Sequence, residues 1–276
     1  MSDKKILTVQ DISCVGQCSL TVALPILSAA GHETCILPSA VLSTHTAGFH
    51  GFTFRDLTKD IPEITAHWVR EGIKFDAIYT GYLGSAEQIG YVKEMFGSLA
   101  GKDFVSIVDP AMADNGKLYV GFDSAFVEEM KTLVFSADII LPNITEACLL
   151  TGTEYRDTYD KAYIDTLIGK LRAEGAKTVI LTGVSYGSET TGVVVAEEGG
   201  TAYYEHRKLP QGSHGTGDVY ASAFVGAYLN GKSAYDAAGI AAEYTVRCIE
   251  NTVGDPTHWY GVKFEPVLPY YIGQLN

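Results

Sequence analysis

Short apolar segments rich in β-forming residues alternate with longer segments of helical character along most of this chain. Residues 5–9, 75–79 and 104–108 are three such short segments, and a stretch with helical periodicity follows each. This alternation predicts a central, mainly parallel sheet with helices on both faces, which is a three-layer α/β/α fold. The segments are too interleaved for a domain boundary, so residues 1–276 are expected to form one domain.

One region departs from this alternation. Residues 191–196 and 201–206 are both rich in β-forming residues, and they flank the sequence Glu197-Glu-Gly-Gly200. Two such runs around a Gly-Gly turn are typical of a β-hairpin. We therefore expect a small hairpin, followed by two long helices over about residues 216–229 and 235–249.

The charge and the cysteines exclude several classes of protein. A formal net charge of −13 argues against a nucleic-acid partner, because phosphate binding needs a basic face. The five cysteines are scattered and form no Cys-x-x-Cys pair, which favours reduced thiols in the cytoplasm over a disulfide framework or zinc site. The charged N-terminus leads into too few apolar residues for a signal peptide or membrane span.

Polar residues follow most of the predicted strands. In an open α/β sheet, ligands bind outside the carboxyl ends of the strands, so these residues should form one rim. The pattern therefore predicts a small-molecule site, although it does not name the chemistry. The rim comprises Asp11, Ser13, the 43–46 loop with His45 and Thr46, Tyr82, Asp109, Asn143 and Thr182.

A glycine-rich turn, Ser213-His-Gly-Thr-Gly-Asp218, precedes the first of the two long helices. Bare backbone N–H groups at a helix start favour an anion, but an aspartate in the first turn is also ordinary helix chemistry. The turn is therefore either a simple helix entrance or an anion site with a carboxylate base. The chain has neither a P-loop nor a dinucleotide fingerprint, so this turn is the best candidate for a phosphate site.

Two acidic residues on the rim each allow two interpretations. Asn143-Ile-Thr-Glu146 has the pattern of a helix capping box, but Glu146 could also hold a metal. Asp109 precedes a proline and could be a turn residue or a second acidic contact for a metal or its water. Carboxylate oxygens suit Mg²⁺, which keeps much of its water shell.

Five stretches, in order along nearly the whole chain, resemble those of the pyridoxal kinases within the ribokinase-like superfamily. The Gly-Tyr-Leu-Gly-Ser segment is the most specific of them, whereas the Gly-Thr-Gly-Asp turn identifies the superfamily alone. The stretches are Ser43-Thr-His-Thr46, Gly81-Tyr-Leu-Gly-Ser-Ala-Glu-Gln88, Val108-Asp-Pro-Ala-Met112, Pro142-Asn-Ile-Thr-Glu146 and Gly215-Thr-Gly-Asp218.

The resemblance implies ATP-dependent phosphorylation of the 5′-hydroxymethyl group of pyridoxal, pyridoxamine or pyridoxine. Asp218 would be the general base, and the amides of Gly215, Thr216 and Gly217 would form an anion hole. The resemblance further implies that Mg²⁺, held by Asp109 and Glu146, lies beside the ATP phosphates. A monovalent cation such as K⁺ and a homodimer are also suggested.

The remaining assignments from the resemblance concern the two substrates. Tyr82 would stack on the pyridine ring, whose polar edge His45, Thr46 and Ser13 would contact, with Asp11 as the alternative to Ser13. The hairpin would be a lid or a nucleotide cover. The predicted ATP contacts are Asp109, Asn143, Glu146, Thr182 and Leu209.

Two other functions compete with this interpretation. A hydroxymethylpyrimidine kinase shares the superfamily and acts on a similar ring. A catalytically silent vitamer-binding protein is a rival of another class, although a silent relative would be free to lose Asp218. Thr182 also stands where some family members have lysine, which affects the expected nucleotide contacts.

Overall fold

The computed structural model describes residues 3–209 and 214–276, and a nine-stranded sheet forms the centre of the fold. Ser213 of the glycine-rich turn lies outside these residues. A separate small hairpin pairs Ala113–Asp114 with Lys117–Leu118. In chain order the strands are β1 (Lys5–Ser13), β2 (Glu33–Leu42), β3 (Phe54–Asp56), β4 (Phe75–Thr80), β5 (Ala100–Val108), β6 (Ala113–Asp114), β7 (Lys117–Leu118), β8 (Ile139–Ile140), β9 (Thr178–Val184), β10 (Thr190–Glu197) and β11 (Gly200–Arg207).

The main sheet has the order β11-β10-β9-β8-β5-β4-β1-β2-β3. The strands from β9 to β2 pair in parallel, whereas β10, β11 and β3 add antiparallel pairs at the two edges. All carboxyl ends of the parallel strands therefore lie along one edge of the sheet. The prediction of a mainly parallel sheet is confirmed.

Helices cover both faces of the sheet. They are α1 (Leu20–Ala29), α2 (Ile61–Arg70), α3 (Ala86–Ser98), α4 (Ser124–Val134), α5 (Ile144–Thr151), α6 (Lys161–Ala173), α7 (Thr216–Leu229), α8 (Ala234–Thr252) and α9 (Leu268–Leu275). Helices α1, α7, α8 and α9 lie on one face, and α2 to α6 lie on the other. Within the described residues, no helix is both long and apolar enough to cross a membrane.

Each face of the sheet has its own hydrophobic core, because successive strand residues point to opposite faces. In β9, Val179 and Leu181 belong to the core under α2 to α6, while Ile180 belongs to the core under α1 and α7 to α9. The small residues of α7 permit close packing. A side chain at Gly226, for example, would meet the Tyr271 hydroxyl at 2.4 Å. The three-layer fold is thus confirmed in its packing as well as its topology.

The first two strands are longer than the sequence indicates. The apolar run that predicts β1 ends at Val9, but pairing with β2 continues through a register shift to Ser13. The run Thr34 to Leu37 predicts a short second strand with a loop from Pro38, but β2 continues past this proline, which lacks an N–H. Proline is tolerated there because β3 pairs only with residues 40–42, so the outer side of Pro38 has no ladder to interrupt.

The predicted hairpin is confirmed as β10 and β11, and it forms the edge of the main sheet. β10 pairs with β9, and α8 packs against the hairpin so closely that a side chain at Gly239 would meet the Tyr204 ring at 2.7 Å. The ends of the hairpin near Gly187 and Lys208 reach the rim. Its role as a lid stays a prediction.

Candidate active site

The carboxyl ends of the strands and the first turn of α7 bring most of the predicted residues together. Asp218 is within electrostatic range of Asp11 and Asp109, and Asp109 is within range of Glu146. A backbone bridge joins Asn143 to Thr182. Residues that are far apart in the sequence therefore line one edge of the sheet, as the rim prediction requires.

The glycine-rich turn enters α7 through Gly215, which has a φ of +76°. A side chain there would lie 1.7 Å from the Gln17 carbonyl oxygen, so only glycine fits. Gly217, by contrast, is exposed and has open space around it. The tight turn places the positive end of the α7 dipole at the rim, where a negatively charged group is stabilised.

Asp218 lies in the first turn of α7 and is half-buried. Burial raises the pKa of its carboxyl to about 6, with a smaller contribution from the charge of Asp11 and an opposing one from a hydrogen bond donated by the Ser19 backbone N–H. A carboxylate with a pKa near the working pH can take up a proton and release it again. Asp218 therefore has the properties of a general base.

Asp11 and Ser13 are both buried and bonded to each other. The Ser13 hydroxyl donates to Oδ2 of Asp11 at 2.9 Å, and the Ser19 hydroxyl donates to Oδ1 at 2.6 Å. Burial nevertheless raises the pKa of Asp11. Sequence reasoning missed Ser19, since nothing in the local pattern distinguishes it from an ordinary residue before a helix.

Glu146 and Asn143 form the capping box that the sequence pattern indicates. Oε2 of Glu146 accepts from the Asn143 N–H at 2.9 Å, and Oδ1 of Asn143 accepts from the Glu146 N–H at 3.0 Å. Oε1 of Glu146 also accepts from the Met112 N–H at 3.0 Å. Burial raises the pKa of Glu146 to about 7 in spite of these bonds. The carboxylate is thus held rigidly at the rim.

Asp109 has a raised pKa because it is desolvated and because Glu146 and Asp218 lie near it. Its Oδ1 accepts from the Ala111 N–H at 3.1 Å. Clustered carboxylates of this kind repel one another until a cation neutralises them. Among the described residues, no three acidic, histidine or cysteine groups could hold a metal together. Asp109 and Glu146 are two neighbouring carboxylates, a set that fits Mg²⁺, which is commonly bound through one or two carboxylates, water and phosphates.

A cavity of about 530 Å³ opens at the start of α5, where Asn143, Ile144 and Thr145 line it, but Asp109, Glu146 and Asp218 do not. Asn143 and Thr182 line it, together with Lys208 at the end of the hairpin and the acidic residues Asp114 and Asp157. Leu209, which follows directly, is half-buried but does not line this cavity. The remaining lining includes Tyr159, Gly183 and Ser185. The volume is in the range of small-molecule sites.

Tyr82 is half-buried on the other side of the rim. Its ring stacks on Phe122 with centroids 5.5 Å apart, and burial and the Asp11 charge raise the pKa of its hydroxyl. Phe122 stacks in turn on Phe126 at 3.8 Å. One face of the Tyr82 ring is therefore held by aromatic neighbours, which orients the side chain.

His45 and Thr46 occupy different environments. Thr46 is exposed, while His45 is buried. The ring of His45 uses both nitrogens within the protein: Nδ1 accepts from the Ala47 N–H at 3.1 Å, and Nε2 donates to the Tyr260 carbonyl at 2.6 Å. Burial also lowers the pKa of His45, consistent with a neutral ring. A direct polar contact between His45 and a substrate would require one of these bonds to break.

The C-terminal segment near Trp259 completes this side of the rim, and sequence reasoning missed it. The Trp259 and Phe49 rings are 4.6 Å apart, and a side chain at Gly48 would meet the Trp259 ring at 2.9 Å. His214, just before the glycine turn, lies 5.7 Å from the His45 ring. These contacts join distant parts of the chain and leave no local sequence signal.

The sequence pattern of the phosphomethylpyrimidine kinase family matches residues 25–261. The chain belongs to the phosphomethylpyrimidine kinase family. Within this family, the Gly215-to-Asp218 turn and the acidic rim form a candidate kinase site.

The relatives of this chain include a protein named as a pyrimidine kinase and a protein named as a pyridoxal kinase. A hydroxymethylpyrimidine/phosphomethylpyrimidine kinase of Bacillus subtilis (strain 168) is 28% identical over 233 residues, 82% of this chain and 83% of that protein. Pyridoxal kinase from Lactobacillus plantarum has 32% identity and a TM-score of 0.91, covering 99% of this chain and 98% of that one.

A third relative connects the two. This protein of Bacteroides thetaiotaomicron VPI-5482 is provisionally described as a phosphomethylpyrimidine kinase, and its structure was determined in a crystal form with pyridoxal. It has 36% identity and a TM-score of 0.92, covering 98% of this chain and 96% of that one. The resemblance to pyridoxal kinases and to the ribokinase-like fold, inferred above from five motifs, is confirmed.

Proposed function

We propose that this protein is an ATP-dependent kinase that phosphorylates the 5′-hydroxymethyl group of the B6 vitamers pyridoxal, pyridoxamine and pyridoxine. The observation that carries the proposal is Asp218. It combines a pKa of about 6 with a place at the start of α7, beside Asp109 and Glu146. The pyridoxal kinase relative supports the choice of substrate.

In the proposed reaction, the vitamer hydroxyl gives its proton to the Asp218 carboxylate. The hydroxyl oxygen forms a bond to the γ-phosphorus of ATP, while the bond from that phosphorus to the bridging oxygen breaks and ADP leaves. Phosphoryl transfer of this kind depends mainly on positioning and charge stabilisation. The α7 dipole and the amides of Gly215, Thr216 and Gly217 would stabilise the transferring group.

Asp109 and Glu146 would hold Mg²⁺, in part through water. When bound, Mg²⁺ neutralises charge on the phosphates and holds them in line for transfer. The backbone hydrogen bonds to Glu146 and the single bond to Asp109 keep these carboxylates in place before any cation arrives. A dependence on a monovalent cation such as K⁺ stays part of the prediction.

The two substrates would occupy opposite sides of Asp218. The 530 Å³ cavity suits the nucleotide, with Asn143, Thr182 and Lys208 toward its phosphates and Leu209 toward the adenosine. The pyridine ring would lie on Tyr82, whose orientation Phe122 fixes. Thr46 is exposed and could contact the polar edge of the ring, where Ser13 is the further predicted contact.

Hydroxymethylpyrimidine kinase is the second candidate function, favoured by the family description and by the Bacillus subtilis relative. An ADP-release assay with each B6 vitamer, hydroxymethylpyrimidine and its monophosphate separates the two, with the product identified by mass spectrometry. We expect the vitamers to give the highest kcat/KM. Highest kcat/KM for a pyrimidine would reverse the assignment, and binding without ADP release would indicate a silent binder.

Location and assembly are part of the same proposal. The five cysteines are free thiols in the structure, in keeping with a cytoplasmic location. We further propose that residues 1–276 act as one domain and that two copies associate as a homodimer. Sedimentation of the purified protein tests the last point, and a monomer at micromolar concentration would contradict it.

A further inference from the structure

The loop that carries Thr46 is fixed at its two ends but has few backbone contacts between them. The Ser43 N–H donates to the Thr53 carbonyl at 3.1 Å, and the Thr53 N–H donates to the Ser43 hydroxyl at 2.8 Å. Within the described part of the chain, residues 46–52 make no hydrogen bond to another backbone group. The position of the exposed Thr46 therefore depends on the side chains around it.

The imidazole ring of His45 closes the turn around Thr46. Its Nδ1 accepts from the Ala47 N–H at 3.1 Å, so the ring joins the residues on both sides of Thr46. Burial lowers the pKa of His45, which keeps the ring neutral and leaves Nε2 as a donor. Nε2 donates to the Tyr260 carbonyl at 2.6 Å. Both nitrogens are thus engaged within the protein.

The acceptor of this second bond lies in residues 258–261, which we call the C-terminal segment. This segment has its own anchors: Nδ1 of His258 donates to the Gly261 carbonyl at 2.8 Å, and a side chain at Gly261 would meet Cβ of Gln17 at 2.6 Å. The segment is therefore packed tightly against the loop after β1. It offers the His45 ring a carbonyl in a fixed position.

Packing also determines how the His45 ring is oriented. A side chain at Gly16 would lie 2.2 Å from Cδ2 of His45, so the ring rests directly on the backbone of the loop after β1. The Phe49 ring packs edge-on against the imidazole with centroids 5.0 Å apart, and it contacts Trp259 of the C-terminal segment in turn. Hydrogen bonds and packing thus hold the ring in one orientation.

We propose that His45 is a positioning residue that ties Thr46 to the C-terminal segment, so that the Thr46 hydroxyl meets the polar edge of the substrate ring. The inference rests on the proposed function, in which Thr46 makes the direct contact. His45 then acts through Thr46, in place of the direct contact that the resemblance implies, and residues 258–261 become part of the substrate site. A side chain held in its binding position loses less conformational entropy when the substrate binds.

Kinetics of His45→Phe test this role, because the variant removes both hydrogen bonds and keeps a planar ring. KM for the ring substrate should rise about 5–10-fold, the usual effect of losing one hydrogen bond. Both kcat and KM for ATP should stay within about three-fold, since Thr46 contacts the edge of the ring and not the reacting hydroxyl. An unchanged KM for the ring substrate would overturn the proposal.

His32→Phe is the matched control for the loss of a buried histidine. His32 is 5% exposed and His45 is 4% exposed, and Nε2 of His32 also bonds to a distant backbone carbonyl, that of Gly226 at 3.1 Å. His32 precedes the amino end of β2, at the opposite edge of the sheet from the rim. The variant should leave all three constants within about two-fold of wild type. An equal rise in KM for the ring substrate in both variants would contradict the positioning role.

A double-mutant cycle separates positioning from direct contact. If His45 acts through Thr46, adding His45→Phe to Thr46→Val should raise KM by no more than about two-fold over Thr46→Val alone. Losses that multiply would assign His45 a substrate contact of its own and overturn the proposal. His45→Gln keeps an amide N–H as donor toward the Tyr260 carbonyl and should recover most of the affinity. A loss as large as that of His45→Phe would count against the link.

Hydrogen exchange tests the link without reference to activity. Amides of residues 43–50 should exchange at least about five-fold faster in His45→Phe than in wild type, because the Ala47 N–H loses its acceptor. His32→Phe should leave the exchange of these residues unchanged. Unchanged exchange in His45→Phe would overturn the proposal. The measurement stands even if the wild-type protein phosphorylates none of the tested rings, a result that would refute the proposed function alone.

Discussion

The backbone N–H of Ser19 donates a hydrogen bond to the carboxylate of Asp218. Ser19 has a φ of +54°, a conformation that L-residues rarely adopt, and its hydroxyl donates to Asp11. One strained residue before α1 therefore contacts both acidic groups on this side of the rim. Strain of this kind concentrates at functional sites, where the surrounding structure enforces it.

The pKa of Asp218 predicts the pH dependence of turnover. A base must be deprotonated to accept a proton, so kcat should rise with pH through about 6 and then level off. Asp218→Asn should lower kcat by about 10²–10⁴-fold and remove this rise. Steady-state kinetics between pH 5 and about 8.5 measure both effects. A variant within a few-fold of wild type would refute the role of Asp218 as base.

The same substitution should stabilise the fold at neutral pH. Burial raises the folded-state pKa of Asp218 from 3.8 to about 6, so the charged form is disfavoured. This penalty is absent below pH 3.8, develops between pH 3.8 and 6, and is complete above pH 6. Asp218→Asn should therefore raise the free energy of unfolding by about 1–2 kcal/mol at pH 7.5, after allowance for partial exposure.

Urea denaturation of both proteins at pH 7.5 and pH 4 checks this effect. The gain should nearly disappear at pH 4, because Asp218 is then protonated in the folded wild type. An equal gain at both pH values would show that it has another cause than the buried charge.

Gly215→Ala should destabilise the protein strongly. The new side chain would overlap the Gln17 carbonyl oxygen, and φ of +76° adds a penalty of about 1–2 kcal/mol before any clash. Gly217→Ala is the control for stability, since its side chain would meet nothing within 4 Å. Thermal unfolding should show a large loss for Gly215→Ala and little change for Gly217→Ala; similar results for the two would contradict the tight turn.

Gly81→Ala should lower the free energy of unfolding by about 1–3 kcal/mol, the usual result of overpacking a buried site. The added methyl group would displace the Gln10 amide, which is fully buried and donates through Nε2 to the Thr8 hydroxyl at 2.9 Å. Gly84→Ala in the same motif makes only ordinary contacts, the nearest at 3.7 Å, and should change stability by about 0.5 kcal/mol or less. Chemical denaturation of both variants measures the difference, and a neutral Gly81→Ala would disprove the close approach.

Asp109→Asn should stabilise the protein in the absence of Mg²⁺ and impair the proposed reaction in its presence. Desolvation and the charges of Glu146 and Asp218 raise the pKa of Asp109, so the substitution removes a carboxylate whose charge is unfavourable in the folded protein. Unfolding in EDTA should therefore require more denaturant than wild type, while the Mg²⁺ concentration for half-maximal rate should increase. A variant with unchanged Mg²⁺ dependence would argue against Asp109 as a metal contact.

Features that depend on nearby residues were predictable from the sequence alone. The alternation of segments predicts the three-layer fold, and the Gly-Gly turn predicts the hairpin, because both follow from local backbone preferences and periodicity. The capping box of Asn143 and Glu146 was also predictable, since its two partners are three residues apart. The candidate residues on the rim were also predictable, because they come directly after the predicted strands in the sequence.

Other features depend on segments that meet only in the folded protein. Ser19 reaches Asp218, Tyr260 holds His45, and Gly81 makes room for Gln10, and no local pattern encodes these contacts. Packing also decides how far β1 and β2 extend, since their pairing continues beyond the apolar run that predicts them. The sequence alone thus determines which chemical groups are present and on which elements, while the tertiary structure decides their partners and the pKa of Asp218, because burial depends on neighbours distant in the chain.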